Sequence, residues 1–312
     1  MVRKFKKALV TGGAGFIGSH LSKLLVSKGI KVTVIDNYTL GKNSNLKEIE
    51  KKIKIIEASI LDNSIEKYFN DVDVVFHAAA LVGVNMVSKE PVKVLDQNIS
   101  GTKNILNICR KKNILHIFIS SSEVYGNTVK MPVSENDTTS PVSPYGLSKI
   151  VGETYCHSFK KKYKTNSIIV RLFNVYGPRQ DPTGYSWAVP SFIARTKRNK
   201  SCVVHGSGAQ TRDFTFVTDT IQGIYLAAMK GRYDEVYNIG TGIETSIKDV
   251  ALIMLKKMNR SSKNIQYTRD RNFQITRRCA NPSKAKKELG FKSKVKLSDG
   301  LDKTIQYFTW LK

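Results

Sequence analysis

The sequence contains no apolar run that approaches the roughly 18 residues of a membrane-spanning helix. Its basic N-terminal segment leads directly into a short strand pattern, without the apolar stretch or small-residue cleavage site of a signal peptide. Cysteine is scarce, and its four residues are scattered without CxxC spacing: Cys109, Cys156, Cys202 and Cys279. Reduced thiols fit this usage better than a disulfide framework. We therefore expect a cytoplasmic protein with no membrane partner and no bound metal.

Acidic residues are also few, 25 against 51 lysines and arginines, which gives a formal net charge of +26. Proteins that bind nucleic acids or anionic membranes carry charges of this kind. Here the lysines are spread along the whole chain, and basic runs such as residues 160–162 fall where a helix would face solvent. We interpret the charge as a solvated lysine-rich surface that favours an anionic small molecule, and we expect no nucleic-acid partner.

The first half of the chain alternates between strand and helix patterns. Apolar, β-rich runs occur at residues 8–11, 31–36, 53–57, 72–77, 115–121 and 167–172. Helical patterns lie between most of them, for example at residues 18–28, 91–111 and 145–163. This alternation predicts an α/β protein with a Rossmann-type, doubly wound parallel sheet.

After about residue 174 the pattern becomes irregular, with a Gly/Pro-rich stretch at residues 176–182, shorter elements and a final helix at residues 297–311. We predict that residues 1–174 form the nucleotide-binding domain with the catalytic residues. Residues 175–312 are expected to form a smaller α/β substrate lobe, with some segments returning to the sheet. Such folds bind ligands at the carboxyl ends of the parallel strands.

A glycine-rich segment follows the first predicted strand and opens the first helix: Val10-Thr11-Gly12-Gly13-Ala14-Gly15-Phe16-Ile17-Gly18. Its G-x-x-G-x-x-G spacing lets the backbone turn tightly and approach a pyrophosphate, to which the helix N-terminus presents N–H groups and partial positive charge. The position between strand and helix makes this a dinucleotide site rather than a simple tight turn.

Asp36 ends the second predicted strand, 18 residues after Gly18. A carboxylate there accepts hydrogen bonds from the ribose hydroxyls of adenosine and repels a 2′-phosphate. Asn37 follows rather than an arginine. The expected cofactor is therefore NAD rather than NADP, although a strand-end aspartate can also cap a turn.

Tyr145 and Lys149 form a Y-x-x-x-K pattern at the start of a predicted helix, which places them on one helical face. An ammonium group near a phenol stabilises tyrosinate and lowers its pKa, so that tyrosine can act as a base. Lys149 would also hydrogen-bond the nicotinamide ribose. A serine-rich segment, residues 120–126, ends a strand about 24 residues earlier and can orient a substrate hydroxyl towards Tyr145.

With these motifs the chain resembles the extended short-chain dehydrogenases/reductases, in the branch of nucleotide-sugar epimerases and dehydratases. Besides the glycine loop and Tyr145 with Lys149, the resemblance covers Phe76-His77-Ala78-Ala79-Ala80, Asn98 before Gly101-Thr102, residues 171–179 and Gln210-Thr211-Arg212-Asp213-Phe214. The resemblance extends over essentially the whole sequence.

The resemblance implies roles for particular residues. Its cofactor-binding positions are Gly12, Gly15, Phe16, Ile17, Gly18, Asp36, Asn37, Ser59, Ile60, Ala78, Ala79, Ala80, Asn98, Tyr145 and Lys149. Its substrate positions are Ser121, Ser122, Asn174, Arg179, Arg212, Arg271 and Arg278, and its catalytic positions are Ser121, Glu123, Tyr145 and Lys149. Two positions depart from the family pattern, since Ser59 and Gln274 stand where acidic residues are usual.

The resemblance implies that Tyr145 removes the proton of the sugar C4 hydroxyl while NAD takes the hydride. The 4-keto intermediate can then be reduced on its other face by an epimerase, dehydrated, decarboxylated or released. Residues 177–182, 185–190 and 210–214 look like UDP-hexose 4-epimerases of bacterial and archaeal type. The sequence therefore favours a UDP-glucose/galactose-type 4-epimerase with a UDP-sugar substrate.

Two residues point to other reactions. Dehydratases and decarboxylases of the family often have a glutamate at the position of Glu123, where it can act as a base at C5, although a salt-bridged structural carboxylate is an equal alternative. In uronate decarboxylases an arginine at the position of Arg278 holds the carboxylate. Ser122 argues against ordinary dehydratases, many of which have an aspartic acid there. A 4-dehydrogenase also remains open.

Two further expectations concern partners. A non-enzymatic Rossmann protein that binds nucleotide or RNA would have little need for Ser121, Tyr145 and Lys149 together. By resemblance, the chain is expected to form a symmetric homodimer in which the helices at residues 91–111 and 145–163 pair as a four-helix bundle. Apolar residues on these helices are expected to contribute to the interface: Val94, Ile105, Ile108, Val151 and Phe159.

Overall fold

The computed structural model describes residues 2–128, 130–181, 188–270 and 275–310. Arg271, Gln274 and residues 185–187, to which the sequence assigned roles, lie outside the described residues. None of the described helices is long and apolar enough to cross a membrane. All four cysteines are buried free thiols.

A seven-stranded parallel sheet forms the centre of the protein. Six of its strands come from the first half of the chain: β1 (Lys7–Thr11), β2 (Lys31–Asp36), β3 (Ile53–Glu57), β4 (Val74–His77), β5 (Leu115–Ser121) and β6 (Ser167–Leu172). The strand order is β3-β2-β1-β4-β5-β6, followed by β9 (Val236–Ile239) from the second half, which pairs in parallel with β6. Every residue of β6 is buried, as expected for a parallel strand covered on both faces.

The remaining strands form two small sheets. Strand β7 (Cys202–His205) pairs in parallel with β11 (Ile265–Thr268), and β8 (Thr211–Asp213) pairs antiparallel with β10 (Glu244–Ser246). The helices are α1 (Phe16–Ser27), α2 (Val84–Lys89), α3 (Pro91–Lys112), α4 (Pro144–Tyr163), α5 (Ala188–Lys197), α6 (Val217–Lys230), α7 (Ile247–Lys257) and α8 (Leu297–Trp310). The doubly wound α/β fold predicted from the sequence is confirmed.

Helix α4 has clear sequence signals at its start. Pro144 occupies the first turn, where its missing N–H costs nothing, and the Ser143 hydroxyl caps the helix by accepting a 3.0 Å bond from Gly146 N. The helix packs closely on β5, because a Cβ atom at Gly152 would lie only 2.4 Å from the Phe118 ring. These features fix the position of Tyr145 and Lys149 relative to the end of β5.

The residues assigned to the dimer interface require a correction. Val94, Ile105, Ile108 and Phe159 are buried within the protomer itself. They pack α3 and α4 onto the sheet and onto each other, so they are unavailable to a partner chain. Their apolar character alone did not show which face of each helix points outward.

Candidate active site

A long cleft crosses the carboxyl ends of the sheet strands. It runs from the glycine loop past the end of β5 to β8 and the segment that carries Arg278. Most of the residues selected from the sequence line it: Gly12, Gly15, Phe16, Ile17, Gly18, Asp36, Asn37, Ile60, Ala78, Ala79, Ala80, Ser121, Ser122, Glu123, Tyr145, Lys149, Asn174, Arg179, Arg212 and Arg278. Residues as distant in sequence as Gly12 and Arg278 thus form one surface. Among the described residues, no cluster of metal-ligating side chains accompanies them.

The glycine loop needs its glycines. Gly12 has a φ of +68°, and a Cβ atom there would lie 2.7 Å from the backbone of Ala79. A Cβ atom at Gly18 would lie 2.1 Å from the carbonyl oxygen of Gly12. The loop is therefore a tight turn against the start of α1, and this geometry fits a dinucleotide pyrophosphate at the helix N-terminus.

Asp36 lies at the end of β2 in the wall beside this loop. One carboxylate oxygen accepts a 2.9 Å bond from Ala14 N, and the other accepts a 2.8 Å bond from Tyr38 N. Burial raises the pKa of Asp36, and these backbone donors oppose that effect. Both chain segments thus hold the carboxylate in place. Its oxygens can still accept hydrogen bonds from ribose hydroxyls.

Ser59 and Asn98 are not among the residues that line the cleft. The Ser59 hydroxyl accepts a bond from Leu61 N. The Asn98 amide bonds both backbone groups of Leu81, at 2.7 and 3.0 Å, and the Ser148 hydroxyl. Asn98 thus holds the loop after β4 against α4, and direct cofactor contacts of Ser59 and Asn98 remain predictions.

Ser121, Tyr145 and Lys149 meet at the middle of the cleft. Ser121 ends β5, and its hydroxyl is hydrogen-bonded to the Tyr145 phenol. The Lys149 ammonium is buried, donates a 2.8 Å bond to the Ile119 carbonyl and lies 5.6 Å from the centre of the Tyr145 ring. The arrangement predicted from the Y-x-x-x-K spacing is therefore present in the structure.

The pKa of Tyr145 runs against the simple expectation from Lys149. Burial, followed by the charge on Glu123, raises the pKa of the phenol, and the hydrogen bond with Ser121 opposes this effect. Burial also lowers the pKa of Lys149 to about 8. The nearby ammonium does not outweigh burial, and the pKa of the phenol lies above its ordinary value.

Glu123 and Arg278, which the sequence treated separately, form an ion pair. Nη1 of Arg278 donates a 2.6 Å bond to Oε1 of Glu123. The Arg278 side chain is 2% exposed and that of Glu123 is 30% exposed, in the cleft wall. Burial opposes ionisation of Glu123, but the Arg278 guanidinium outweighs it, and the pKa of Glu123 is lowered.

Arg278 retains unused donors. Within the part of the chain that the structure describes, its Nε and Nη2 atoms are buried and have no hydrogen-bond partner. Unsatisfied buried donors are costly unless a ligand completes them. Arg278 also lines the cleft, so a shift of its side chain would bring these donors to an acceptor atom of a bound ligand.

The other predicted substrate residues are distributed along the same wall. Asn174 and Arg179 have positive φ angles of +21° and +69°. Arg179 pairs with Glu48 at 2.9 Å, which links the substrate side to the segment beyond β2. Arg212 lies on β8, and its charge contributes to the lowered pKa of Glu123.

Asp213 is a supporting residue that the sequence analysis did not assign. Its buried carboxylate accepts bonds from Thr241 N, Gly242 N and Ala280 N. It thereby joins the strand that carries Arg212 to the segment that follows Arg278. The sequence signal for this role was the position of the aspartate next to Arg212 in a short strand. A buried carboxylate at such a position needs hydrogen-bond donors from neighbouring segments.

The comparisons with known proteins agree with this geometry. The model of the family described as GDP-mannose 4,6 dehydratase matches residues 9–304, nearly the whole chain. The chain belongs to this family. The predicted membership of the extended short-chain dehydrogenases/reductases that modify nucleotide sugars is confirmed. The chain is an enzyme of the NAD-dependent nucleotide-sugar epimerase/dehydratase type.

Relatives in this family carry different activities. A putative UDP-glucose 4-epimerase of Methanocaldococcus jannaschii is 38% identical over 97% of this chain and 98% of its own length. A UDP-N-acetyl-alpha-D-glucosaminuronate decarboxylase of Bacillus cytotoxicus is 37% identical over 97% and 98%. The solved UDP-glucuronic acid 4-epimerase of Bacillus cereus, in complex with UDP-glucuronic acid and NAD, has a TM-score of 0.92 at 35% identity, covering 98% of this chain and all of that one.

Proposed function

We propose that the protein binds NAD and a UDP-linked uronic acid in the cleft, oxidises C4 of the sugar and decarboxylates the resulting 4-keto acid. The proposal goes further than family membership, which is shared by epimerases, dehydratases and decarboxylases. The observation that carries it is the buried Glu123–Arg278 pair, with two unused guanidinium donors beside the Ser121, Tyr145 and Lys149 centre.

The first step uses the residues at the end of β5 and the start of α4. NAD, when bound, accepts a hydride from C4 and later returns it. The Ser121 hydroxyl orients the C4 hydroxyl, and the hydrogen-bonded Tyr145 phenolate accepts its proton. Lys149 supplies positive charge near the phenol. Loss of hydride and proton converts C4 into a ketone.

A carboxylate on C5 complements the unused donors of Arg278. A guanidinium binds a carboxylate through two parallel N–H donors, and this geometry suits arginine better than lysine. The hydroxymethyl group of a hexose offers a single neutral oxygen in the same place. The local charge also favours a carboxylate. Glu123 neutralises the charge of Arg278, and Arg212 adds a further positive charge nearby.

With C4 as a ketone, a carboxylate on C5 forms a β-keto acid. The bond from C5 to the carboxylate carbon breaks, its electron pair moves to the C4 oxygen as an enolate, and carbon dioxide leaves. The hydroxyls of Ser121 and Tyr145 stabilise the charge on that oxygen. Glu123, paired with Arg278 at the proposed carboxylate site, then relays a proton from solvent to C5, and return of the hydride to C4 completes a pentose product.

A UDP-hexose 4-epimerase is the second candidate. The motifs of the second half favour it, and the Methanocaldococcus jannaschii relative bears that name. In that reaction no bond at C5 changes, so Glu123 needs no role in proton transfer. The buried pair would then only limit the size of the sugar pocket.

Product analysis separates these reactions. The protein with NAD is incubated with UDP-glucuronate, UDP-N-acetylglucosaminuronate and UDP-glucose in heavy water, and products are identified by NMR. The proposal requires a UDP-pentose that carries one deuterium at C5 and release of carbon dioxide. A C4 epimer of UDP-glucose without deuterium at C5, and no reaction of either uronate, would instead establish the epimerase.

We also propose that the protein is a homodimer built on the outer faces of α3 and α4. The exposed apolar side chains there include Leu147 and Tyr163, with Val151 and Tyr155 partly exposed between them. Helix pairs of this kind associate about a two-fold axis. Sedimentation at micromolar concentration should give a dimer for the native chain and a monomer for Tyr155→Glu; a native monomer contradicts the proposal.

A further inference from the structure

Behind the catalytic residues lies a buried ion pair that the proposed mechanism does not use. Arg171 on β6 donates two hydrogen bonds to the two carboxylate oxygens of Glu153 on α4, at 2.9 and 2.6 Å. Both side chains are at most 5% exposed. Neither residue is among the described residues that line the cleft.

Glu153 is connected to the catalytic strand. The hydroxyl of Ser120, the residue before Ser121, donates a 2.5 Å bond to Oε1 of Glu153. One helical turn earlier on α4, Lys149 donates its 2.8 Å bond to the carbonyl of Ile119. Two side chains four residues apart on the helix therefore bind two consecutive residues at the end of β5.

The same pair reaches the other wall of the site. Nη1 of Arg171 donates a 2.8 Å bond to the Tyr125 hydroxyl, which donates a 2.7 Å bond to Asn238 on β9. Tyr125 belongs to the short helical segment that also carries Glu123. The hydrogen bonds thus join α4, β5, β6 and β9 directly beneath the cleft.

We propose that Glu153 is the counter-charge and positioning residue of the Lys149 ammonium. The two residues lie on one face of α4, at a spacing of four, and both side chains are buried. A buried ammonium needs a nearby negative charge to stay protonated. Arg171 and Ser120 hold that carboxylate in one orientation, so it cannot turn away from the helix face.

Other groups around Lys149 do not replace this charge. On α4 it is faced by the Tyr145 phenol and the Cys156 thiol, whose pKa values are raised by burial. On β4 it is faced by His77, whose pKa is lowered by burial, so that the imidazole is neutral. Arg171 on β6 has the same sign as Lys149, and its charge is balanced by Glu153 itself.

The charges give different expectations for two variants. Glu153→Gln removes the negative charge and leaves the positive charge of Arg171 unbalanced near Lys149, so both effects lower the lysine's pKa. Glu153→Gln combined with Arg171→Gln also removes the unbalanced positive charge, but it still leaves Lys149 without its counter-charge. If Glu153 only balances Arg171, the double variant should instead recover the native pKa of Lys149.

The test follows the titration of Lys149 itself. Lysine is labelled with ¹³C at Cε, and the NMR signal of Lys149 is identified in the NAD-containing protein by its loss in Lys149→Met. Burial lowers the pKa of Lys149 to about 8, so its signal should titrate well below those of exposed lysines, near ~10.4. The midpoint should fall by at least about 0.5 pH unit in Glu153→Gln and by a smaller amount, still at least about 0.3 unit, in the double variant.

An unchanged midpoint in Glu153→Gln, or a return to the native midpoint in the double variant, overturns the proposal. Should Glu153→Gln fail to fold in thermal unfolding measurements, Glu153→Asp withdraws the carboxylate by one methylene, and a smaller fall is then required. The catalytic consequence rests on the proposed function. The titration needs no sugar nucleotide, so its failure is distinguishable from an incorrect reaction.

Discussion

Arg278 and Glu123 are 155 residues apart in sequence and joined by a 2.6 Å hydrogen bond in the wall of the cleft. Removing the arginine takes away both the partner of Glu123 and the proposed carboxylate site. Truncating one member of a buried charge pair typically costs about 2–5 kcal/mol of binding energy. The following predictions depend first on this pair and then on the rest of the site.

Arg278→Leu should weaken the binding of UDP-glucuronate by roughly 30-fold or more. The affinity for UDP, which has no sugar carboxylate, should change little. Calorimetric titration with both ligands measures the difference. Arg277→Leu is the matched control, because this neighbouring arginine is 53% exposed and pairs with Glu244 instead. Equal losses for UDP and UDP-glucuronate would show that Arg278 does not recognise the carboxylate.

Glu123→Gln tests the reaction at C5. If the sugar is a uronate held by Arg278, loss of the paired charge should reduce turnover by roughly 10²-fold. Glu244→Gln, which changes the carboxylate paired with Arg277, should leave the rate unchanged. A Glu123→Gln protein that retains most of its rate supports C4 epimerisation instead, since no proton moves at C5 in that reaction.

Tyr145→Phe should remove turnover while leaving NAD and UDP affinities nearly intact, because the phenol transfers a proton and contributes roughly 10²–10⁴-fold to the rate. Ser121→Ala should have a smaller effect. Tyr155→Phe, on the same helix but outside the cleft, serves as the control. More than half of the native rate in Tyr145→Phe means that another group is the base.

NAD should bind far more tightly than NADP, because Asp36 is fixed by two backbone N–H groups at the adenosine end of the cleft. Asp36→Asn should narrow the difference in affinity between NAD and NADP, mainly because the repulsion between the carboxylate and the 2′-phosphate is lost. Fluorescence titration with both cofactors checks this. Equal affinities for the native protein would remove Asp36 from the cofactor site.

The protein should lose stability in mild acid. Burial lowers the pKa of His116 to about 3, so the folded state keeps this residue neutral while the unfolded chain protonates near ~6.5. The unfolded state thus binds more protons below pH 6.5. For this histidine, the free energy of unfolding decreases by about 1.4 kcal/mol for each unit by which the pH is lowered. Urea titrations at pH 4.5–8 should show a shallower slope for His116→Asn, with parallel curves above pH 7; an unchanged slope excludes this origin.

The sheet and the glycine loop could be predicted because local patterns determine them. Buried parallel strands such as β6 are mostly apolar, and Gly12 and Gly18 stand where a side chain would collide with backbone. The spacing of Tyr145 and Lys149 was equally local. These signals do not depend on how distant parts of the chain meet.

Other features depend on distant contacts. Nothing in the sequence around Glu123 or Arg278 indicates that the two side chains pair. From the sequence, each residue therefore pointed to a different reaction. The sequence assigned Asn98 to the cofactor but did not indicate that its amide also bonds Leu81 and Ser148. The raised pKa of Tyr145 could not be predicted from the sequence either. Burial and the charge of Glu123 outweigh the lowering of the pKa that the Y-x-x-x-K spacing suggests.

Strand β9 has a consequence for the division proposed after residue 174. Because β9 completes the hydrogen bonds of β6, a polypeptide ending at that boundary would leave β6, a wholly buried strand, unpaired along one edge of the sheet. Unpaired strand edges of this kind form hydrogen bonds with strands of other molecules. We expect the N-terminal portion made alone to self-associate, and its recovery as a monomer to require the later segment supplied in trans.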